Sequence, residues 1–270
     1  MAMFDSIIIG QYVPGDSVVH RLDPRVKLTA VFIFLVFMFM TRDPLLLTVA
    51  VLLSFGGLLA SRVPLSFYAK GMRFISIIIV LTFTLHLFMT GGGEAILELP
   101  FATIYTGGLI EGFMLALKLG MIITIASLLT LTTTPIDLTD GMERMLAPFK
   151  RIKLPTHELA LMMSIALRFI PTLIEETRTI VLAQLARGTN FSEGSLWKRL
   201  KALIPILVPL FTQSFKRAEE LATAMEARGY AGGEGRTKYR QLHWGLKDSV
   251  VLAIFLLFAA AVVAERIMGG

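Results

Sequence analysis

Five apolar runs, at residues 26–40, 44–60, 72–89, 109–131 and 249–264, constrain this 270-residue chain more than any other feature. A helix crosses the hydrocarbon of a bilayer in roughly 20 residues, with about 17 to 25 tolerated. The runs predict five spans, of which the first and last need flanking residues to reach full length. The chain is 55% hydrophobic with a mean hydropathy of +0.71, above the range of ordinary soluble domains, and this agrees with a membrane class. The fold class that follows is all-α: a polytopic membrane protein of about five transmembrane helices, with long amphipathic helices on its cytoplasmic side.

Charge orients the spans, because loops rich in Lys and Arg stay in the cytoplasm. Residues 61–73 carry Arg62, Lys70 and Arg73 and are predicted inside. Residues 90–108 carry Glu94 and Glu98 and no Lys or Arg, and are predicted outside. From 135 to 247 there are 17 Lys/Arg against 11 Asp/Glu, so this segment holds the whole net charge of +6 and is predicted inside. These assignments alternate correctly. They put the N-terminus in the cytoplasm, with the nearly neutral turn Thr41-Arg42-Asp43-Pro44 and the C-terminus outside. A start without a basic n-region predicts no cleaved signal peptide.

The 135–247 segment is too polar to span and too apolar to be a tail. It reads as two long amphipathic helices, 157–185 and 200–227, after a shorter one running from Pro135, past Asp137 and Asp140, to about Lys150. The first long helix sets Ala160, Ser164, Leu167, Leu173 and Ile180 among polar residues, and Pro171 predicts a kink. The second carries Pro205 and Pro209 near its start, then Lys216-Arg217 and Glu219-Glu220 on a wet side. Ala218 and Ala222, four apart, leave room for another helix to approach closely. Basic amphipathic helices of this kind suit both the cytosol and the bilayer surface.

Both long helices close on one phrase: Ala183-x-x-Ala186-Arg187-Gly188 and Ala224-x-x-Ala227-Arg228-Gly229. Glycine just past a helix takes the left-handed conformation without a Cβ clash. That predicts each arginine in a last turn, its guanidinium at the tip. One reading is that the cation complements the helix dipole, worth about 0.3–1 kcal/mol when exposed. The other is docking, since the rigid guanidinium fork suits carboxylates and backbone carbonyls in a partner's groove. The dipole accounts for one such arginine, and less well for a repeated phrase.

Little else carries chemistry. The absence of cysteine excludes disulfides, thiolate metal sites and thiol nucleophiles. His20, His86, His157 and His243 form no ligand spacing, so neither metal nor cofactor is expected. The segment Gly232-Gly233-Glu234-Gly235-Arg236-Thr237 lacks the lysine and preceding strand of a phosphate-binding loop and reads as a flexible linker. His86, beside Thr82 and Thr84, is predicted to be a neutral group bonded to a neighbouring helix. Glu111 and Lys118 lie near one helix face towards its outer half, where snorkelling accounts for them. Glu175-Glu176 with Arg178, and Glu219-Glu220 with Lys216-Arg217, read as surface ion pairs at helical spacing, worth about 0.3–0.5 kcal/mol each. No catalytic site is predicted.

Several phrases occur together in order: Gln11-Tyr12-Val13-Pro14-Gly15-Asp16-Ser17 running into His20-Arg21-Leu22-Asp23-Pro24-Arg25-Val26-Lys27-Leu28; Thr132-Thr133-Thr134-Pro135; Ala166-Leu167-Arg168-Phe169-Ile170-Pro171; Arg217-Ala218 with Leu221-Ala222; and Ala224-Met225-Glu226-Ala227-Arg228-Gly229-Tyr230. In these the chain resembles, over nearly its full length, the transmembrane T component (EcfT) of energy-coupling factor transporters. The resemblance implies a multi-pass cell-membrane scaffold without a cofactor of its own. Its partners would be two cytoplasmic ATP-binding-cassette ATPases, a membrane S component that captures a vitamin or micronutrient, and the lipid bilayer, with no nucleic acid. ATP hydrolysis would belong to the ATPases.

The resemblance further implies that Ala186, Arg187, Gly188, Ala227, Arg228 and Gly229 cap crossed coupling helices and dock into the ATPases. Ala218, Ala222, Ser164 and Leu167 are the candidates for the helix crossing and for contact with the S component. The organisation is then N-terminal membrane helices at 1–134, a coupling-helix region at 135–240 and a C-terminal membrane helix at 241–270. Two helices of 28 residues are about 40 Å long, long enough to act as levers. The unequal flanks Gln184-Leu185 and Met225-Glu226 point to two distinct sockets.

Two rival classes find less support. A permease with its own pathway calls for broken helices or ionisable groups at mid-membrane in repeated halves, whereas only His86 qualifies and the halves do not repeat. An intramembrane enzyme calls for a paired acid, a Ser–Lys pair or a histidine cluster within the spans. A module dedicated to one metal or vitamin remains open beside a shared one.

Overall fold

The computed structural model describes residues 12–99, 102–146, 156–189, 191, 195–230, 232 and 242–268. Its elements in chain order are α1 (Pro24–Met40), α2 (Pro44–Ser61), α3 (Leu65–Met89), β1 (Ala95–Leu99), β2 (Ala102–Tyr105), α4 (Thr106–Thr132), α5 (Pro135–Leu146), α6 (Thr156–Ala186), α7 (Leu196–Ala227) and α8 (Leu246–Met268). The described residues divide into two compact units, one within Gly10–Arg144 and Leu242–Gly270 and the other within Met145–Gln241.

Each apolar run lies within a helix of the first unit. Three of these, α2, α4 and α8, are long and apolar enough to cross a membrane. At 17 residues α1 sits at the lower limit, and the apolar part of α3 is the shorter stretch Ile75–Met89. Both α1 and α2 start on an Asp-Pro pair. The Asp23 and Asp43 side chains accept from the N–H of Arg25 (2.9 Å) and Leu45 (3.0 Å), and proline fills a first-turn position that needs no donor. Among the described residues the regular structure is helical except for a feature absent from the sequence reading, the antiparallel hairpin β1–β2, with Ala95 opposite Tyr105 and Leu99 opposite Ala102. Its Ile96, Thr103, Ile104 and Tyr105 favour strand.

The core of this unit is Phe34, Met38, Leu46, Leu47, Ala50, Met121, Ile125, Phe258 and Val262, drawn from α1, α2, α4 and α8. Phe34 stacks on Phe258 at 5.7 Å between ring centroids. Helices α3 and α4 meet through Gly108 and Gly112. A Cβ at Gly108 would stand 2.7 Å from the Thr90 carbonyl oxygen and 2.8 Å from that of His86. This small-xxx-small pair lets the backbones touch.

Residues 12–27 fasten the ends of the bundle together. Val13 N–H donates to Leu131 O at 2.9 Å. The His20 ring donates from Nε2 to Val13 O (3.0 Å) and accepts at Nδ1 from the Ser17 hydroxyl (2.7 Å). The buried Lys27 ammonium donates to His20 O, Thr132 O and Thr133 Oγ1 at 3.2, 3.0 and 3.1 Å. Buried Asp248 accepts from Asp23 N–H at 2.8 Å, binding α8 to the start of α1. Burial pushes the Asp23 carboxyl up, but bonds from the Arg25 side chain and backbone outweigh it and hold the group below its ordinary range.

Two expectations change here. His86 donates from Nδ1 to Thr82 O, one turn back on its own helix, at 3.0 Å, where a bond to a neighbouring helix was expected. Lys118 ends on the Thr41 carbonyl at the C-terminus of α1, so it caps a helix end where solvent exposure was expected.

The second unit holds α6 and α7, of 31 and 32 residues and so about 47 Å long each. Helix α7 begins at Leu196, four residues before the expected start, because Ser195 caps it by accepting from Lys198 N–H at 3.4 Å. Both helices run on through their internal prolines. The expected end near Lys150 of the helix from Pro135, the loop residues 233–237 and Gln11 lie outside the described residues.

Candidate functional site

The repeated phrase gives the same helix stop twice. At the end of α6, Gly188 N–H donates to Leu185 O (3.0 Å) and Thr189 N–H to Gln184 O (3.0 Å). At the end of α7, Gly229 N–H donates to Glu226 O (2.9 Å) and Tyr230 N–H to Met225 O (3.0 Å). These are paired Schellman bonds, which require a left-handed residue. Gly188 and Gly229 supply it with φ of +84° and +73°. Arg187 and Arg228 therefore stand at the cap itself, one residue past the last helical position, and not inside the last turn as expected. Ala186, Arg187, Gly188, Ala227, Arg228 and Gly229 are all exposed. Among the described residues no other atom comes within 4 Å of where a Cβ would stand on either glycine.

Behind the tips, α6 and α7 are joined by an ion pair between Glu176 and Arg217. This corrects the expectation of pairing along each helix: the partners are 41 residues apart and belong to different helices. The Arg217 guanidinium also lies over the Phe169 ring at 5.5 Å. Both charges are about three-quarters covered, at 26% and 21% side-chain exposure, so water screens them less than a surface pair. Beside the clasp is an open groove of about 380 Å³ lined by Ile165, Phe169 and Leu173 of α6 and by Ala218, Leu221 and Ala222 of α7, among others. Ala218 and Ala222 thus face α6 across the groove yet stay exposed, while Ser164 and Leu167 are half-buried elsewhere on α6.

The sequence did carry a signal for the clasp. Glu176 stands eleven residues before Arg187, and Arg217 eleven before Arg228, so opposite charges occupy one register of the two repeats. Among the described residues no group of three or more His, Cys, Asp or Glu side chains is placed to hold a metal. What the arrangement offers chemically is two exposed guanidinium forks on one paired-helix unit. It suits binding to carboxylates and carbonyl oxygens.

The family model described as cobalt transport protein (CbiQ) matches residues 15–239. The chain is 96% identical over 268 residues to the "Energy-coupling factor transporter transmembrane protein EcfT" of Bacillus selenitireducens, covering 99% of this chain and 100% of that one. It is 54% identical over 258 residues to the protein of the same name from Bacillus subtilis, covering 96% and 97%. To that from Staphylococcus aureus it is 48% identical over 258 residues, covering 95% and 96%.

Proposed function

The chain belongs to the EcfT family of energy-coupling factor transporter transmembrane proteins and is a non-catalytic transmembrane component of such a transporter; from that premise we propose that its two arginine tips dock into two cytoplasmic ATP-binding-cassette ATPases. Residues 1–134 and 241–270 are the membrane part and 135–240 the coupling part, with the N-terminus in the cytoplasm and the C-terminus outside. A substrate-capturing S component for a vitamin or micronutrient lies against the coupling helices, with Ala218, Ala222, Ser164 and Leu167 as contact candidates. ATP closes the ATPase pair, the tips move, the paired helices shift, and the S component reorients and releases its cargo inwards.

The observation that carries this reading is the duplication of one tip. Two helices end on the same bonds, the same left-handed glycine and the same exposed arginine. Dipole complementation needs no such identity, whereas two related sockets do. The excess of Lys and Arg in 135–247 supports the orientation.

The test is co-purification of the chain with its ATPases and S component, as wild type and as Arg187→Glu with Arg228→Glu. Loss of the ATPases with the S component retained is expected. Undiminished ATPase binding would return both arginines to a dipole role and end the docking reading.

A further inference from the structure

We infer that Arg217 and Glu176, with Phe169 beneath the guanidinium, form the pivot on which α6 and α7 turn against one another, and so act as positioning residues for the movement of the tips. This rests on the reading of α6 and α7 as coupling levers.

Three observations carry it. The first is position. Each member of the pair is eleven residues from the arginine of its own tip, about 16 Å along the helix. A turn about this point therefore moves both tips equally, by about 3 Å for 10° of rotation at that arm length. A fastening nearer to one tip than to the other would move the two tips by unequal amounts.

The second is the freedom of the joint. Arg217 bonds a single oxygen of Glu176, and the other, Oε2, is buried and takes no hydrogen bond among the described residues. Buried oxygens without a donor are uncommon and call for a reason. Here the guanidinium can pass from one oxygen to the other while staying on the carboxylate and on the ring face. A bidentate fork would weld the helices instead.

The third is the packing beside the joint. The groove is lined by α6 residues N-terminal to Glu176 (Ile165, Phe169, Leu173) and, on α7, chiefly by residues beyond Arg217. Those two arms border one open space, and Ala218 and Ala222 keep it from filling. The helices can scissor there without a clash, so the ion pair carries the registration that a packed interface would otherwise supply.

The chain has no cysteine, so Leu182→Cys and Thr223→Cys, at equivalent positions of the two repeats, take spin labels cleanly. Their separation is measured in the complete complex with ATPases and S component, with and without a non-hydrolysable ATP analogue. The wild type is expected to shift between two narrow distance distributions. In Arg217→Met, which keeps the stem but loses the charge, the distribution broadens and the nucleotide-driven shift is lost, while the ATPases still co-purify. Arg217→Lys restores the shift in part. Glu176→Gln, nearly isosteric, loses it as Arg217→Met does and guards against a folding defect in either variant. An unchanged shift in Arg217→Met overturns the pivot alone. A wild type with no nucleotide-driven shift overturns the lever reading, and the pivot with it.

Discussion

Helices make up most of both units, but the two differ in what holds them. In the membrane unit Phe34, Met38, Val26 and Val262 are fully enclosed, and polar ties join distant parts of the chain, Lys27 to Thr132 and Asp23 to Asp248. In α6 and α7 only Ala160 and Ile206 are buried among the described residues, and one ion pair links the helices. Trp197 and Phe215 stand 78% and 73% exposed. Segments with few buried contacts occupy the low end of local stability, which is where moving parts are drawn from. The contrast is between a frame held by a buried core and long-range polar ties and a helix pair with little buried between its members.

The sharpest way to break that contrast is at Lys27. Lys27→Met leaves Thr132 O and Thr133 Oγ1 buried without their donor. Orphaned buried acceptors cost about 1–3 kcal/mol each, so a loss of about 3–5 kcal/mol is expected in thermal unfolding of the detergent-solubilised chain. If the variant instead melts within about 2 °C of wild type, the polar clasp is not what holds the frame. Gly108→Ala comes next, because its Cβ would meet two backbone carbonyls that cannot swing aside. Overpacking of this kind costs about 1–3 kcal/mol. Gly56→Ala is the internal control, with nothing within 4 Å of the added atom and an expected effect within about 0.5 kcal/mol. Equal melting of the two variants would deny α3 and α4 their close approach.

What was legible in the sequence follows from how far each signal reaches. The apolar runs and the glycine stops were readable because each is decided within a turn or two of chain: Gly188 and Gly229 need only their own φ. The frame's fastenings were not. Lys27 reads as one cation in a basic phrase until Thr132, 105 residues away, supplies its acceptor. Glu176 and Arg217 each sit among charges at helical spacing, and that local pattern hides a partner 41 residues off. His86 fails in the opposite direction. A distant partner was expected, and the acceptor is one turn back on its own helix. The arginine tips themselves were found from sequence alone, with an error of a single position that only the capping bonds resolve.

The smallest expected effect tests the lever half of the contrast. Gly188→Ala and Gly229→Ala meet no steric obstacle, so their cost is the left-handed backbone alone, about 1 kcal/mol for a residue with a Cβ. If α6 and α7 are locally stabilised levers, that strain is released locally. Hydrogen–deuterium exchange in peptides spanning Gln184–Thr189 or Met225–Tyr230 should quicken about five- to tenfold, with the melting of the membrane unit unmoved. Asparagine, which tolerates the left-handed region, should quicken it less. Should either alanine instead lower the melting of the whole chain as Lys27→Met does, strain at a tip must be reaching the frame through the helices. The two units would then be one cooperative body, and the tips would be anchored in the fold and not free to move with a partner.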